Sequence, residues 1–307
     1  MAIEKKIQVA VIQDSPIFLE REKTLELVAQ LTAEAAGNGA QLVLFPETFV
    51  SAYPDWVWSL PPARKDQINA LYAELLASAV AVPDEATARL SKIAKENGVY
   101  LAIGANERNS ESSNFSLYNT LLYFDSAGRL LGRHRKLVPT GGERLMWAPG
   151  DGDTLVSFDT EIGRLGGLIC WENFMPLPRV AMYEAGVQIY LAPTWDSSPA
   201  WLTAMKHIAR EGGMFVLSCC QAIRVSDIPD RYEFRELYPE GREWINKGNS
   251  CIVNPKGEIM AGPLEAEQGV LYAKLDLTEI PAQKWMLDVA GHYARPDVFD
   301  FSVKRSG

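Results

Sequence analysis

Residues 41–47 read QLVLFPE. The apolar run Leu42 to Phe45 predicts a buried strand, and Pro46 stops it because proline has no N–H to continue a ladder. The stretch ends on a carboxylate, Glu47. Two further runs, IQVAVIQ at 7–13 and VYLAIGAN at 99–106, are of the same kind. Between them lie helical patterns over 19–36, closing at Gly37, and over 63–80 and 84–96, because glycine just past a last turn tolerates the left-handed exit. The Pro-, Trp- and Tyr-rich stretch 51–62 reads as a loop.

Beyond residue 110 the pattern changes. YNTLLYFDSAGRLLGRHRKLVP (118–139) predicts a hairpin with Gly128 in its turn, and TLVSFDTEIGRLGGLIC (154–170) predicts a second. A helix near 175–185, a strand VQIYLAP at 187–193, a helix over 199–212 and a strand MFVLSCC at 214–220 follow. The charged, turn-rich stretch 223–247 reads as a surface loop. NSCIVNPKGEIMAG (249–262) is a third hairpin, and 268–276 a last strand. Strands mixed with helices throughout, without repeats or a low-complexity linker, predict one α/β or α+β domain spanning 1–307 and built on two sheets.

Composition narrows the function. The chain of 307 residues is 47% hydrophobic and 22% charged, which suits a large buried core. Thirty basic against 39 acidic side chains give a net charge of −9, which disfavours nucleic acid and anionic lipid. The opening MAIEKKIQVAVIQ is too short in its apolar part for a secretory leader, and no segment is long enough to span a bilayer. Four cysteines (Cys170, Cys219, Cys220, Cys251) without disulfide spacing point to a reducing compartment, the cytoplasm. The three histidines, His134, His207 and His292, lie at no metal-ligand spacing, so no metal is expected.

Three reactive groups end apolar runs: Glu47 after LVLFP, Lys136 after LLGRHR and Cys170 after LGGLI. Active sites of α/β proteins collect at strand carboxyl ends. Taken singly, each has a plainer reading. A cysteine after a strand is ordinarily a small buried hydrophobe, a lysine in an Arg/His/Lys cluster a solvated face, and a glutamate after a strand a cap. His134, two residues from Lys136, would share its face on a strand and reads as a structural hydrogen-bonding residue. His207 reads as a partly buried histidine on an apolar-sided helix, and Cys219, Cys220 and Cys251 as core filler.

The order of FPETF (45–49), HRKLVPT (134–140), ERLMW (143–147), CWENFMPLPR (170–179) and GHYARPDVF (291–299) changes that weighing. The chain resembles the nitrilase family of the carbon–nitrogen hydrolase superfamily from Ala10 to about residue 299. Cysteine followed by Trp and Glu is similar to the nitrilase branch rather than to amidases or carbamoylases. The resemblance implies a four-layer α-β-β-α sandwich with two mixed sheets. It implies Glu47 as general base, Lys136 as catalytic lysine, Cys170 as nucleophile and Glu143 as a second glutamate that positions substrate and lysine. Gly141, Gly142 and Ala148 depart from the bulkier or different residues expected around ERLMW.

The implied activity is hydrolysis of a small organic nitrile to a carboxylic acid and ammonia, without cofactor. Glu47 takes the thiol proton as Cys170 attacks, while Lys136 and the backbone N–H of Trp171 stabilise developing negative charge. An amidase, a nitrile or cyanide hydratase, and a catalytically silent assembly protein are the competing readings. Tyr53, Trp171 and Trp195 are expected to contact substrate. Tyr53 should face the pocket, with Trp56 or Trp58 toward a neighbouring subunit. The family implies dimers that can grow into spirals. A tail shorter than many nitrilases carry predicts a dimer or short oligomer, with 51–62 and 223–247 as contact segments.

Overall fold

A computed structural model describes residues 6–61 and 63–305. The first residues of the opening segment, Pro62 of the aromatic stretch and the last two residues lie outside the described residues.

Two mixed sheets lie face to face. In the first, β1 (Lys6–Gln13), β2 (Leu42–Leu44) and β3 (Tyr100–Arg108) run parallel. The helices α1 (Arg21–Gly37), α2 (Trp56–Ser59), α3 (Lys65–Ser78) and α4 (Glu85–Asn97) fill the crossovers that parallel pairing requires. β4 (Leu117–Phe124) and β5 (Leu130–Arg135) add antiparallel strands beyond β3.

In the second sheet β7 (Gly163–Gly167), β8 (Ile189–Thr194) and β9 (Phe215–Cys220) are parallel, crossed over by α5 (Pro176–Glu184) and α6 (Pro199–Gly212). The antiparallel strands β6 (Ser157–Thr160), β10 (Ala222–Arg224), β11 (Trp244–Val253) and β12 (Ile259–Glu265) complete it. β13 (Gly269–Asp276) returns to pair antiparallel with β1, and α7 (Glu279–Lys284) follows.

The continuous apolar runs have a direct cause: the central strands β1, β2, β3, β8 and β9 are covered on both faces. Val9, Val11, Leu42 and Leu44 of the first sheet meet Ile189, Leu191, Phe215 and Leu217 of the second in the central core. The alternate residues Ala10, Ile12 and Val43 point outward against Leu25, Val28 and Leu31 of α1 and Leu90 and Ile93 of α4. On the far side Tyr190, Ala192 and Val216 pack against Met182 of α5 and Met205 and Ile208 of α6. The order helix, sheet, sheet, helix is the expected sandwich.

Local signals place the helices. Asp84 and Thr87 cap α4 reciprocally, each side chain taking the other's backbone N–H at 2.8 Å, and Gly98 ends it at φ +62°. The exit from α1 falls at Gly39, φ +84°, two residues past the expected Gly37.

Two expectations are corrected. Residues 223–247 are no free surface loop: Ile228, Tyr232, Phe234 and Tyr238 are buried against Phe18, Tyr53 and Trp56, and β11 starts at Trp244. Trp56 is fully buried in this chain, its ring edge-on to Phe18, rather than facing a neighbour.

Candidate active site

Glu47 sits three residues past β2, and a close backbone approach places it. A Cβ added to Gly104 of β3 would lie 2.2 Å from the Pro46 carbonyl oxygen and 2.4 Å from the Thr48 nitrogen. Only glycine lets β3 pass there. The Glu47 carboxylate is fully buried. Its Oε1 accepts from Asn119 Nδ2 at 2.6 Å and from Lys136 Nζ at 2.9 Å, while Oε2 is buried with no hydrogen-bond partner. Burial raises the carboxyl pKa; Lys136 pulls against it, and the net shift is upward.

Lys136 follows β5 and is anchored at both backbone ends, its N–H donating to the Asn119 carbonyl and its carbonyl accepting from Gly150, each at 2.8 Å. Its ammonium bridges Glu47 and Glu143, with Glu143 Oε2 at 2.8 Å. Burial alone would lower the lysine pKa, but the carboxylates and Cys170 outweigh it, so the ammonium stays charged. Glu143 lies on a 3-10 turn, Gly141–Leu145. It also accepts the Thr140 N–H at 2.7 Å and the Tyr53 hydroxyl at 2.8 Å. Trp58 Nε1 donates to Tyr53 Oη at 3.1 Å. Gly141 and Gly142 make room for that indole: a Cβ at Gly141 would meet its ring at 3.1 Å.

Cys170 opens a 3-10 turn, Cys170–Phe174, just past β7, at φ +52°. A left-handed conformation at a non-glycine residue costs about 1–3 kcal/mol and persists only where its surroundings hold it. Thr194 Oγ1 donates to Sγ at 3.3 Å. Burial raises the thiol pKa, Glu47 adds to this and Lys136 opposes it; the net shift is upward, so the resting group is a thiol.

A cavity of about 470 Å³ opens over Cys170 and Glu143. Tyr53, Trp58, Trp171 and Trp195 wall it, with Asp55, Asp196, Arg242 and Asn246 among its polar lining. Tyr53 and Trp195 stack at 4.2 Å and 6°. Trp171 Nε1 donates to Asp196 at 2.8 Å. Lys136 and Glu47 lie behind Cys170, sealed from solvent.

The seven residues singled out from sequence thus meet: Glu47, Lys136 and Glu143 as an ion-paired cluster next to the Cys170 thiol, and Tyr53, Trp171 and Trp195 as walls. Trp58, offered with Trp56 as a residue facing a neighbouring subunit, lines the same cavity and is half exposed. Sequence reasoning missed Asn119, Thr194, Asp196, Asn246 and Gln221, whose Nε2 donates to the Glu47 carbonyl at 2.7 Å. None stands in a distinctive motif. His134 stays outside the cavity, bonded to Glu172 and to the Thr154 carbonyl. His207 is exposed rather than partly buried, with Glu211 at 3.6 Å. Among the described residues no His/Cys/Asp/Glu group could hold a metal, and no helix is long and apolar enough to cross a membrane.

The family model for carbon–nitrogen hydrolases matches residues 8–284. An aliphatic nitrilase of Sinorhizobium fredii is 43% identical over 97% of this chain and 96% of that protein. Nitrilase 1 of Arabidopsis thaliana is 41% identical over 97% of this chain and 86% of its own length. A bifunctional nitrilase/nitrile hydratase of Nicotiana tabacum is 41% identical over the same shares. Among solved structures, Saccharomyces cerevisiae Nit3, a member of branch 10 of the nitrilase superfamily, superposes with a TM-score of 0.73 at 21% identity, covering 94% of this chain and 97% of that one. A variant of the amidase from Nesterenkonia sp. AN1 in complex with butyramide gives 0.68 at 21% identity, covering 92% and 96%. Those two share the fold. With the family model and full-length nitrilases at 41–43% identity both matching, the chain belongs to the carbon–nitrogen hydrolase family, among its nitrilases.

Proposed function

We propose that this chain hydrolyses an organic nitrile to the carboxylic acid and ammonia, with Cys170 as nucleophile, Glu47 as general base, and Lys136 and Glu143 as its charged support. The observation that carries the reading is the asymmetry of Glu47. Oε1 is held by Lys136 and Asn119, which leaves buried Oε2 free to take a proton. A buried thiol beside a buried ammonium and a carboxylate of raised pKa suits proton transfer during attack rather than a standing thiolate.

Sγ attacks the nitrile carbon as its proton passes to Glu47. Glu47 passes that proton on to the nitrile nitrogen and a thioimidate forms. Lys136 and the Trp171 N–H, in the first turn of its 3-10 segment and so without a partner within it, stabilise the developing charge. Water then adds to the carbon, giving its proton to Glu47, and ammonia leaves to form the thioester. A second water releases the acid and returns the proton to sulfur. If the tetrahedral intermediate expels the thiol instead of ammonia, the product is the amide. The bifunctional relative motivates this second reading as a side reaction. A silent assembly protein would have no use for a buried, uncapped carboxylate oxygen beside a thiol.

We also infer that residues 1–307 act as one domain, and that copies associate into dimers or larger assemblies. The apolar side chains of Leu177, Trp285 and Phe299, each more than 60% exposed in the single chain, support this. Four free cysteines fit the cytoplasm.

The test is a panel of aliphatic, aromatic and arylacetic nitriles with matched amides, assayed for acid, amide and ammonia. Nitriles should give acid, and Cys170→Ala should abolish turnover with an unchanged melting temperature. Turnover of amides alone, or an active Cys170→Ala, overturns the proposal.

A further inference from the structure

Lys136 leaves β5 of the first sheet and Cys170 leaves β7 of the second, so strand pairing does not set the distance between them. One carboxylate bonds to both segments. Glu172, 1% exposed, accepts the backbone N–H of Leu137, the residue after Lys136, on Oε1 at 2.6 Å. Its Oε2 accepts the N–H of Ile169, the residue before Cys170, at 2.7 Å, and lies 2.9 Å from His134 Nε2. The other ring nitrogen of His134 is 2.9 Å from the Thr154 carbonyl oxygen. A carbonyl and a carboxylate only accept, so each ring nitrogen carries a proton and the ring is an imidazolium.

The titration behaviour agrees with that geometry. Burial alone would lower the His134 pKa, but Glu172 outweighs it and the value rises. Burial would raise Glu172, but His134 and the two backbone N–H groups outweigh it and the value falls. Asp151 also acts on His134, and the un-ionised hydroxyls of Tyr123 and Tyr190 lie within reach of the Glu172 field. Next to Glu172, Asn173 Nδ2 donates to the carbonyls of Leu168 and Cys170 at 3.0 and 2.8 Å, which holds the turn from its other side. Neither Glu172 nor His134 lines the cavity.

We propose that Glu172, charge-compensated by His134, is a positioning residue: it clamps the Cys170 turn to the Lys136 strand end and so sets where the thiol sits against Lys136 and Glu47. This rests on the nitrilase reading for its kinetic arm alone. Glu172→Gln keeps the volume but offers one acceptor oxygen for two backbone N–H groups, and removes the charge that holds His134 protonated. A misplacement of about 1 Å between reacting groups costs on the order of 10²-fold in rate. Glu172→Gln should therefore lower kcat by about that factor with KM changed less than about threefold.

Alkylation of Cys170 by iodoacetamide supplies an arm independent of substrate identity, since Cys219, Cys220 and Cys251 are buried away from the cavity. Its rate should fall at least tenfold with the melting transition still cooperative. Wild-type kcat, an unchanged alkylation rate, or a loss confined to KM overturns the proposal. If Glu172→Gln does not fold, His134→Gln carries the test. It should lose kcat and alkylation rate together by at least tenfold, and wild-type values in that variant overturn the proposal equally. Wild-type alkylation behaving as expected while no nitrile is turned over would sink the nitrilase reading and leave the clamp standing.

Discussion

Replacing Lys136 by methionine keeps nearly the length of the side chain and removes its charge. In the native protein the ammonium lies 2.9 Å from Glu47 and 2.8 Å from Glu143, and all three side chains are at most 2% exposed. Without it two buried carboxylates lose the counter-charge they share. Breaking a buried pair by removing one partner costs about 3–5 kcal/mol. At about 2–4 °C per kcal/mol for chains of this order of size, the melting temperature should fall by roughly 6–20 °C at pH 7–8.

The sign of the pH dependence follows from Glu47. Burial already holds its pKa above the ordinary 4.5, and in the variant the opposing effect of Lys136 is gone. A carboxylate with a raised folded pKa binds more protons folded than unfolded, so stability falls as pH rises above the unfolded value. The deficit of Lys136→Met against the native protein should be smallest near pH 5 and grow toward pH 8. Adding Glu47→Gln should restore part of it. Thermal unfolding of the three proteins across that range is the assay. A deficit that is absent at pH 8, or that does not vary with pH, refutes the view that a buried charge balance holds this site.

Gly104→Ala places a Cβ against the backbone of Pro46, Glu47 and Thr48, where no flexible side chain can yield. It should cost about 1–3 kcal/mol in a urea titration, and shift Glu47 enough to lower kcat on the order of 10²-fold; wild-type turnover would show that the close approach does not place Glu47. Light scattering of the purified chain at micromolar concentration should report a dimer or larger species, because Leu177, Trp285 and Phe299 remain open to water in the single chain. A fully active monomer removes that inference.

The central strands were legible because both faces of each are covered, which leaves an unbroken apolar run such as LVLF at 42–45. The stretch 223–247 was not. Its aromatic anchors are spaced by 3-10 turns with neither a 2.0 nor a 3.6 period, and its arginines spread over ring faces, Arg231 at 4.4 Å from Tyr232 and Arg242 at 5.5 Å from Tyr238. Charge density therefore read as solvent exposure while the rings beneath were packing against Phe18 and Trp56. The same contact hid the fate of the aromatic loop at 51–60: its cover comes from this chain itself.

By sequence alone Glu47, Lys136, Glu143 and Cys170 could be singled out as the proposed reactive set, because each stands in a short motif of the family that the chain resembles. Their partners were not. Asn119 reaches Glu47 across 72 residues, Lys136 reaches it across 89, and Glu172 reaches Leu137 across 35. Hydrogen bonds between residues so far apart leave no periodicity in the chain. They exist only once the two sheets have packed and burial has removed water as the competing partner. That is why the choice of the proposed reactive groups lies in the sequence, while the protonation of His134, the free oxygen of Glu47 and the placement of the thiol belong to the tertiary structure.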